Sequence, residues 1–309
     1  MKNARTPKLS IIILNYNSRK LLIDCLNSLK NVKDEIKFEI IVSDNGSSDD
    51  SLNKTQDWGK ANSDIKLIIV ENKENLGFAK GNNRAKNFIS GEYVLFLNTD
   101  TIVFKDTLNK TVNFLAKDVK IGALTCKLVM ANGKLDKDAR RSFITPWIGL
   151  THIYLKLDRL FPKSKLFSQY WYGYIPENVT HEVDVVQGAY FLTRKKILDE
   201  VNWFDEDYFL DGEDIDLCWK IKKKGYKVYY YPEVSILHLK GATKGKNKTA
   251  KKNISFAEKR KFTLSGVDSM ELFVKKRLWN EYPKPLVLFV ISGIKLLKLL
   301  RYLQLRIFG

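Results

Sequence analysis

Leu95-Phe-Leu-Asn98-Thr-Asp100 decides how this chain is read. An apolar run passes directly into a short polar tip that ends in a carboxylate. A parallel α/β sheet delivers a metal ligand in this way, to the crevice outside its strand ends. Asp100 on its own could equally cap a strand-to-helix turn. Its company changes that reading. An acidic cluster, Asp211-Gly-Glu213-Asp214-Ile-Asp216, follows much later in the chain, and His238 stands alone after a further strand-like run. Together they suggest a metal-bound diphosphate beside a catalytic base.

The segments before Leu95 alternate apolar runs with helical patterns. Leu9 to Leu14 reads as a buried strand, and Ser18 can cap a helix whose apolar positions Leu21, Leu22, Cys25, Leu26 and Leu29 recur at helical spacing. Phe38 to Val42 is the next strand and runs into Ser43-Asp-Asn-Gly-Ser-Ser-Asp-Asp50. A helix, the strand Lys66 to Val70, and a helix opened by Asn75-Leu-Gly77-Phe-Ala-Lys-Gly81-Asn-Asn83 lead to the strand Tyr93 to Leu97. This β-α-β-α-β-α-β order predicts a parallel sheet with helices on both faces. Polar residues gather just after the strands, at Asn15, Asp44 and Asn98 to Asp100, as a crevice at the carboxyl edge requires.

From Arg140 to Pro176 the text becomes aromatic and basic, with Trp147, Tyr154, Tyr170, Trp171, Tyr172 and Tyr174 and no sustained period. Short helices and loops forming an acceptor-side wall are expected there, or an ordinary packed insertion. Val183 to Thr193 reads as one strand. Glu213 to Lys224 reads as a helix opened by acidic residues, as the helix dipole favours, and stopped by Gly225. Lys227 to Tyr231 is a further strand, and Lys240 to Lys252 a basic, mobile loop.

A chain of 309 residues, 44% of them apolar, can bury a full core in one large domain or one domain with an appendage. No charged-then-apolar opening with a small-residue cleavage site is read, so no secretory signal is expected. Cys25, Cys126 and Cys218 lie far apart, form no zinc spacing, and read as reduced buried thiols. The net charge of +18 is uneven: from Leu239 onward 17 Lys and Arg face 4 Asp and Glu, a net +13, which leaves +5 for everything before. Such a tail seeks a polyanion, either nucleic acid or an anionic membrane surface.

The end of the tail, Leu286 to Phe308, is apolar but interrupted by Lys295, Lys298, Arg301 and Arg306. Its longest charge-free run, Pro285 to Ile294, is shorter than the ~20 residues a bilayer span needs. The basic positions fall near one helical face, which fits an interfacial amphipathic helix. A helix packed on the domain is the other reading.

Eight motifs, in order, resemble the family 2 glycosyltransferases with the GT-A fold, and within them the bacterial rhamnosyltransferases of cell-surface polysaccharide assembly. They are Leu14-Asn-Tyr-Asn17, Val42-Ser-Asp-Asn-Gly-Ser-Ser-Asp49, Glu71 to Ala79, Leu97-Asn-Thr-Asp100, Gln187-Gly-Ala189, Trp203-Phe-Asp205, Gly212 to Trp219 and His238-Leu-Lys-Gly-Ala-Thr243. The resemblance implies that Leu14, Asn15, Asn17, Asp44, Gly77, Asn82, Asn98, Thr99 and Asp100 bind a nucleotide-sugar donor, with Asp44 reading the base. It implies that Asp100 and His238 hold a divalent metal, Mg²⁺ or Mn²⁺. Asn98 stands where the family's motif has a first Asp, so Asp100 is the only anionic ligand; a single carboxylate suits an ion that keeps diphosphate oxygens and waters around it. Asp214 matches the general base, with Glu213 beside it, and a crowd of like charges from Glu213 and Asp216 would raise its proton affinity. Gly188 and Trp171 fall on the acceptor side.

The expected fold is therefore α/β: a GT-A, Rossmann-like, mostly parallel sheet flanked by helices over residues 1–243, with a basic helical C-terminal extension over 244–309. The expected activity is inverting transfer of a sugar, rhamnose from dTDP-rhamnose first and UDP-sugars next. The acceptor would be a glycan, polyprenyl-diphosphate-linked, at the cytoplasmic face of the membrane, with the C-terminal helix on the anionic surface and no nucleic acid bound. A sugar nucleotidyltransferase would more often show a Gly-rich basic loop after the first strand, and Asn15-Tyr-Asn-Ser18 lacks it. A nucleic-acid binder built on the tail has no need of Asp100, Asp214 and His238 in this order.

Overall fold

The computed structural model describes residues 8–240 and 256–308. The final residues of the His238 to Thr243 motif, the boundary drawn after residue 243, and nearly all of the basic loop lie outside them. In chain order the elements begin β1 (Leu9–Asn15), α1 (Arg19–Lys30), β2 (Phe38–Asp44), α2 (Ser51–Ala61), β3 (Lys66–Glu71), α3 (Phe78–Asn83) and β4 (Tyr93–Asn98). The chain continues through β5 (Thr101–Val103), α4 (Thr107–Ala116), β6 (Ile121–Met130), β7 (Arg140–Arg141), α5 (Pro146–Ile148) and α6 (Leu157–Leu160). It ends with β8 (His181–Val183), β9 (Val185–Val186), β10 (Tyr190–Arg194), α7 (Lys195–Glu200), α8 (Glu213–Lys223), β11 (Lys227–His238), α9 (Phe256–Phe273) and α10 (Lys284–Phe308).

The main sheet runs β3-β2-β1-β4-β10-β6-β11-β5, with β8 beside β11. Strands β1, β2, β3 and β4 pair in parallel, as the alternating pattern predicts. Their interiors read as near-continuous apolar runs because both faces are covered: Ile11, Ile12, Ile13, Ile40, Ile41, Val94 and Leu95 are fully buried. The parallel order is broken once in the middle. β10 lies antiparallel between β4 and β6, while β6 and β11 pair in parallel. Reversing β10 brings its start, not its end, to the carboxyl edge, and so places Gln187-Gly188-Ala189 beside the tip of β4, where the Asn98 amide donates to the Ala189 carbonyl at 3.2 Å.

Three local expectations differ from the structure. The segment 183–193 is not one strand: it breaks into β8, β9 and β10. The Gly188 amide donates to Asp214 Oδ2 at 3.3 Å instead of joining a ladder, and a Cβ at Gly188 would lie 3.1 Å from the Phe78 ring. β11 is longer than Lys227 to Tyr231; it passes Pro232 with a register shift between Tyr231 and Ser235 and carries on to His238. Proline removes a ladder donor, and a bulge accommodates it. Ser18 does precede α1 but makes no side-chain cap; its hydroxyl donates to Asn15 Oδ1 at 2.6 Å.

The C-terminal helices are fastened to the sheet domain. Val267, Phe273, Val274, Leu278, Val287, Ile291 and Ile294 form a second apolar cluster against Phe143, Ile215 and Trp219. Between α9 and α10, Arg277 clamps Asp216 through Nε at 2.6 Å and Nη2 at 3.1 Å, and Lys276 bridges Asp205 at 2.7 Å. The tail is packed on the domain through one face of α10, as one reading of its sequence expects, and its other face is exposed. Cys25, Cys126 and Cys218 are all buried and unlinked, and burial pushes the Cys25 thiol up to about 12.

Candidate active site

The carboxyl edge of the sheet opens into a cleft of about 2200 Å³. Its floor comes from strand ends. Leu14 stands one residue before the end of β1, Asn98 closes β4, Thr99 and Asp100 follow, and His238 closes β11; all five line the cleft. His238 reaches Asp100 because β11 ends opposite Thr101 in the ladder to β5. Its Nε2 lies 3.5 Å from Asp100 Oδ1, and its Nδ1 lies 3.0 Å from Asp136 Oδ2. Burial would lower the pKa of this imidazole, but hydrogen bonds to the two carboxylates outweigh it and raise it to about 9. Asp136 is held down at about 2: burial pushes it up, and His238 together with Lys240 more than offsets that. Lys240 bonds Asp136 Oδ1 at 2.5 Å and Asp138 Oδ2 at 2.6 Å.

This pair fits a divalent cation. Among the described residues no group of three or more His, Cys, Asp or Glu side chains could cage an ion. Two side chains do converge: the Asp100 carboxylate and His238 Nε2. Asp136 fixes the imidazole from behind, as carboxylates do for metal-bound histidines. Protonated, Nε2 donates to Asp100; neutral, it offers a lone pair at the same place. A set of one carboxylate and one imidazole leaves the remaining positions to ligand oxygens and water, which Mg²⁺ and Mn²⁺ accept.

Asp214 enters from the start of α8. Asp211 and Gly212 take consecutive left-handed conformations, φ 68° and 87°, and swing the helix start into the cleft. At Gly212 a side chain is excluded, because its Cβ would lie 2.8 Å from Ser269 Cβ on α9. Glu213 and Asp214 both line the cleft, buried to within a few per cent. Asp214 Oδ2 accepts from Arg141 Nη2 at 2.6 Å and from the Gly188 amide at 3.3 Å, while Oδ1 accepts from the Ile215 amide at 2.8 Å. With about two acceptor sites per carboxylate oxygen, Oδ2 is full and Oδ1 keeps one. Arg141 is held as a cation: burial disfavours its charge, and Asp214, Tyr170 and Asp138 more than compensate. The crowd of like charges expected at 213–216 is thus offset, since Arg141 pairs with Asp214, and Arg277 and Lys220 pair with Asp216.

Other candidate residues fall unevenly. Asn17, Gly77 and Gly188 line the cleft, and Asn17 Oδ1 accepts from the Ser48 and Asp49 amides at 2.7 and 3.2 Å. Asn15, Asp44, Asn82 and Trp171 are not among its lining residues. Asp44 accepts from Asn15 Nδ2 at 2.7 Å and from the Ser47 amide at 2.8 Å, so it shapes the loop that presents Asn45 and Ser48 to the cleft. Asn82 spends its amide on the Phe78 carbonyl at 2.9 Å. On the aromatic side Trp147, Tyr154 and Tyr170 form the wall, and Trp171 packs against the His152 ring. Sequence reading missed Asp136 and Arg141, and gave Lys240 no part in the site; Tyr170 falls in the aromatic segment expected as a wall. Arg140-Arg141 beside an aromatic stretch was the one signal available for Arg141.

The chain belongs to glycosyl transferase family 2, whose model matches residues 10–201. A poly-beta-1,6-N-acetyl-D-glucosamine synthase of Staphylococcus aureus is 28% identical over 224 residues, 72% of this chain and 48% of that protein. An uncharacterized glycosyltransferase of Bacillus subtilis, YfnE, is 36% identical over 105 residues, 34% of this chain and 26% of that protein. The chain spans less than half the length of these curated relatives. Among solved structures it is similar to the mannosyltransferase PcManGT from Pyrobaculum calidifontis, solved in complex with GDP-Man and Mn²⁺, with a TM-score of 0.58 at 19% identity over 98% of this chain and 74% of that one. It is also similar to TarS of S. aureus in complex with UDP-GlcNAc, with a TM-score of 0.53 at 17% identity over 93% of this chain and 71% of that one. These likenesses establish the fold as GT-A-like, a mostly parallel α/β sheet flanked by helices.

Proposed function

We propose that this chain moves a sugar from a nucleoside-diphosphate donor to an acceptor hydroxyl in one displacement, with inversion at the anomeric carbon. One observation carries the reading. A single cleft gathers the Asp100–His238 pair from two strand ends and the Asp214 carboxylate from a helix start. The first suits a diphosphate leaving group, and the second suits an attacking hydroxyl. The relatives solved with GDP-Man and Mn²⁺ and with UDP-GlcNAc support the same assignment.

Asp100 and His238 would hold the divalent ion, which when bound supplies positive charge to the departing diphosphate. The nucleoside would lie along Leu14, Asn17, Asn45, Ser48 and Gly77, with Asp44 and Asn15 bracing that loop from beneath. Asp214 would take the acceptor proton at the one acceptor site left on Oδ1, while Arg141 and the Gly188 amide fix the carboxylate plane. Gln187 Oε1 and Arg141 Nε are buried without a hydrogen-bond partner among the described residues, and hydroxyl groups of a sugar acceptor would satisfy both. The eight motifs favour dTDP-rhamnose as donor, then UDP-sugars, and a polyprenyl-diphosphate-linked glycan as acceptor at the inner membrane face.

A donor-hydrolysis screen of the purified chain across dTDP-, UDP- and GDP-sugars, with and without Mg²⁺ or Mn²⁺, tests this. One nucleotide sugar should be cleaved in a metal-dependent way, and dTDP-rhamnose fastest. Cleavage of none, or full activity after metal removal with EDTA, would overturn the reading.

A further inference from the structure

The tail forms more than a brace. One face of α10 is packed on the domain through Val287, Ile291 and Ile294. The opposite face is also apolar and carries no covering element among the described residues: Phe289 is 76% and Ile307 69% exposed, with Leu296, Leu300 and Leu303 between them at spacings of seven, four, three and four. A helix turns about 100° per residue. Lys295 and Arg306, each one residue before an exposed apolar position, therefore lie on one flank of this stripe, and Arg301, one residue after Leu300, lies on the other. The sequence expectation of one basic face is corrected here: the charges split, and Lys298 turns inward to pair with Asp268. Arg306 and Arg260 further bracket the Tyr302 ring at 5.4 and 5.3 Å. No helix among the described residues is long and apolar enough to cross a membrane.

The stripe is continuous with the catalytic cleft. Leu286, Phe289, Val290, Gly293 and Leu296 of α10 line the same cleft as Asp100 and Asp214. The exposed side chains of Trp147, Leu150 and Tyr154 line it from the facing segment, and Tyr154 lies so close to α10 that a Cβ at Gly293 would sit 2.3 Å from its hydroxyl. The mouth of the cleft is thus apolar on both rims, while its floor is polar and charged, with Asp100 beside His238.

We infer that the outer face of α10 lies flat on an anionic lipid bilayer and holds the mouth of the cleft against the leaflet, so that an acceptor carried on an aliphatic chain enters from the membrane side. An apolar stripe flanked by cations on both sides has the character of an interfacial helix, with long basic side chains reaching to headgroups. Charge separates this occupant from a second copy of the chain: apposing two such stripes would bring their basic flanks together, whereas anionic headgroups neutralise them. The 17 Lys and Arg against 4 Asp and Glu from Leu239 onward act in the same direction. The inference rests on the transfer reading only for its purpose; the docking is measured without any sugar.

The full chain should co-sediment with phosphatidylcholine vesicles containing phosphatidylglycerol, bind plain phosphatidylcholine more weakly, and be released by salt. Leu300→Asp with Ile307→Asp, two exposed positions outside the cleft lining, should weaken binding at least about tenfold. Donor hydrolysis and the thermal midpoint should stay unchanged. Should that variant fail to fold, Lys295→Gln with Arg306→Gln tests the same surface, and should weaken binding to the anionic vesicles by about tenfold or more. Absence of binding by the wild-type chain, or equal binding by the Asp and Gln variants, overturns the inference. So does a wild-type dimer that these Asp substitutions dissociate and that does not bind vesicles. Vesicle binding without cleavage of any nucleotide sugar would leave the docking intact and remove the transfer reading alone.

Discussion

At the amino-terminal edge of the sheet, Glu39 of β2 is completely buried, and both its oxygens are occupied. Oε1 accepts from the Ser10 hydroxyl and the Ser90 amide, each at 2.6 Å, and Oε2 from Lys66 at 2.6 Å and the Ser90 hydroxyl at 2.7 Å. At the carboxyl edge Asp100 and Asp214 are nearly as buried, yet they border a cleft of about 2200 Å³, and Asp214 keeps an acceptor site. Burial is deep at both ends; what differs is that both Glu39 oxygens are fully occupied from within the chain, while Asp214 at the cleft keeps an acceptor site. A closed network contributes to folding, and an open one is available for chemistry. Substitutions at the two edges should therefore separate activity from stability.

The largest effect is expected at Asp214. Asparagine keeps its size and cannot take a proton. Asp214→Asn should cut transfer by a factor on the order of 10²–10⁴, with nucleotide-sugar affinity near wild type by calorimetry. Turnover at the wild-type rate would remove Asp214 from the mechanism and blur the contrast between the edges. A smaller effect belongs to Asp136, which touches His238 but does not line the cleft. Asp136→Asn should raise the divalent-ion concentration needed for half-maximal donor hydrolysis by about 10–100-fold. The maximal rate at saturating metal should fall much less. A uniform fall at every metal concentration would show that Asp136 serves the fold rather than the ion.

How much of this was legible follows from where each residue lies in the chain. Asn98, Thr99 and Asp100 could be read because an apolar strand ends directly before them, and strand ends in a parallel sheet share one edge. Asp214 was named only through the family resemblance of Gly212 to Trp219, since acidic residues at a helix start by themselves point no further than the helix dipole. Asp44 also stands at a strand end, and in the structure its carboxylate accepts from Asn15 and from the Ser47 amide of the loop beside the cleft. Strand-end position does not say whether a side chain faces the ligand or the turn. Arg141 and Asp136 come from non-local approach: they meet residues 73 and 102 positions away, and nothing in their own neighbourhoods marks the partner. The reversed β10 escaped for a related reason, since strand direction depends on the crossover and not on the composition of the strand. The tail was ambiguous because α10 is apolar on two faces, one for the domain and one exposed.

Glu39 was invisible to the same reasoning, since a lone Glu inside Phe38 to Val42 reads as noise in an apolar strand, and it offers the gentlest test of the contrast. Two of its partners come from the neighbouring strands, Ser10 opposite it on β1 and Lys66 opposite it on β3, and the third, Ser90, from the segment just before β4. Burial pushes its pKa up, but Lys66, Ser10 and Ser90 outweigh that and leave it below the ordinary carboxylate value. The sign follows. A carboxylate whose folded pKa is depressed stabilises the fold fully above its unfolded pKa of about 4.3, and loses that contribution as pH falls through the folded value. Glu39→Gln replaces an acceptor oxygen by an amide that meets donors, and should cost about 2 kcal/mol in urea unfolding at pH 7. The gap to wild type should narrow as the pH is lowered below about 4. Donor hydrolysis per folded molecule should be unchanged. A Glu39→Gln protein of full stability, or one that folds normally but loses hydrolysis, would mean that the amino edge is not a closed structural network, and that satisfied lone pairs do not separate the two ends of this sheet.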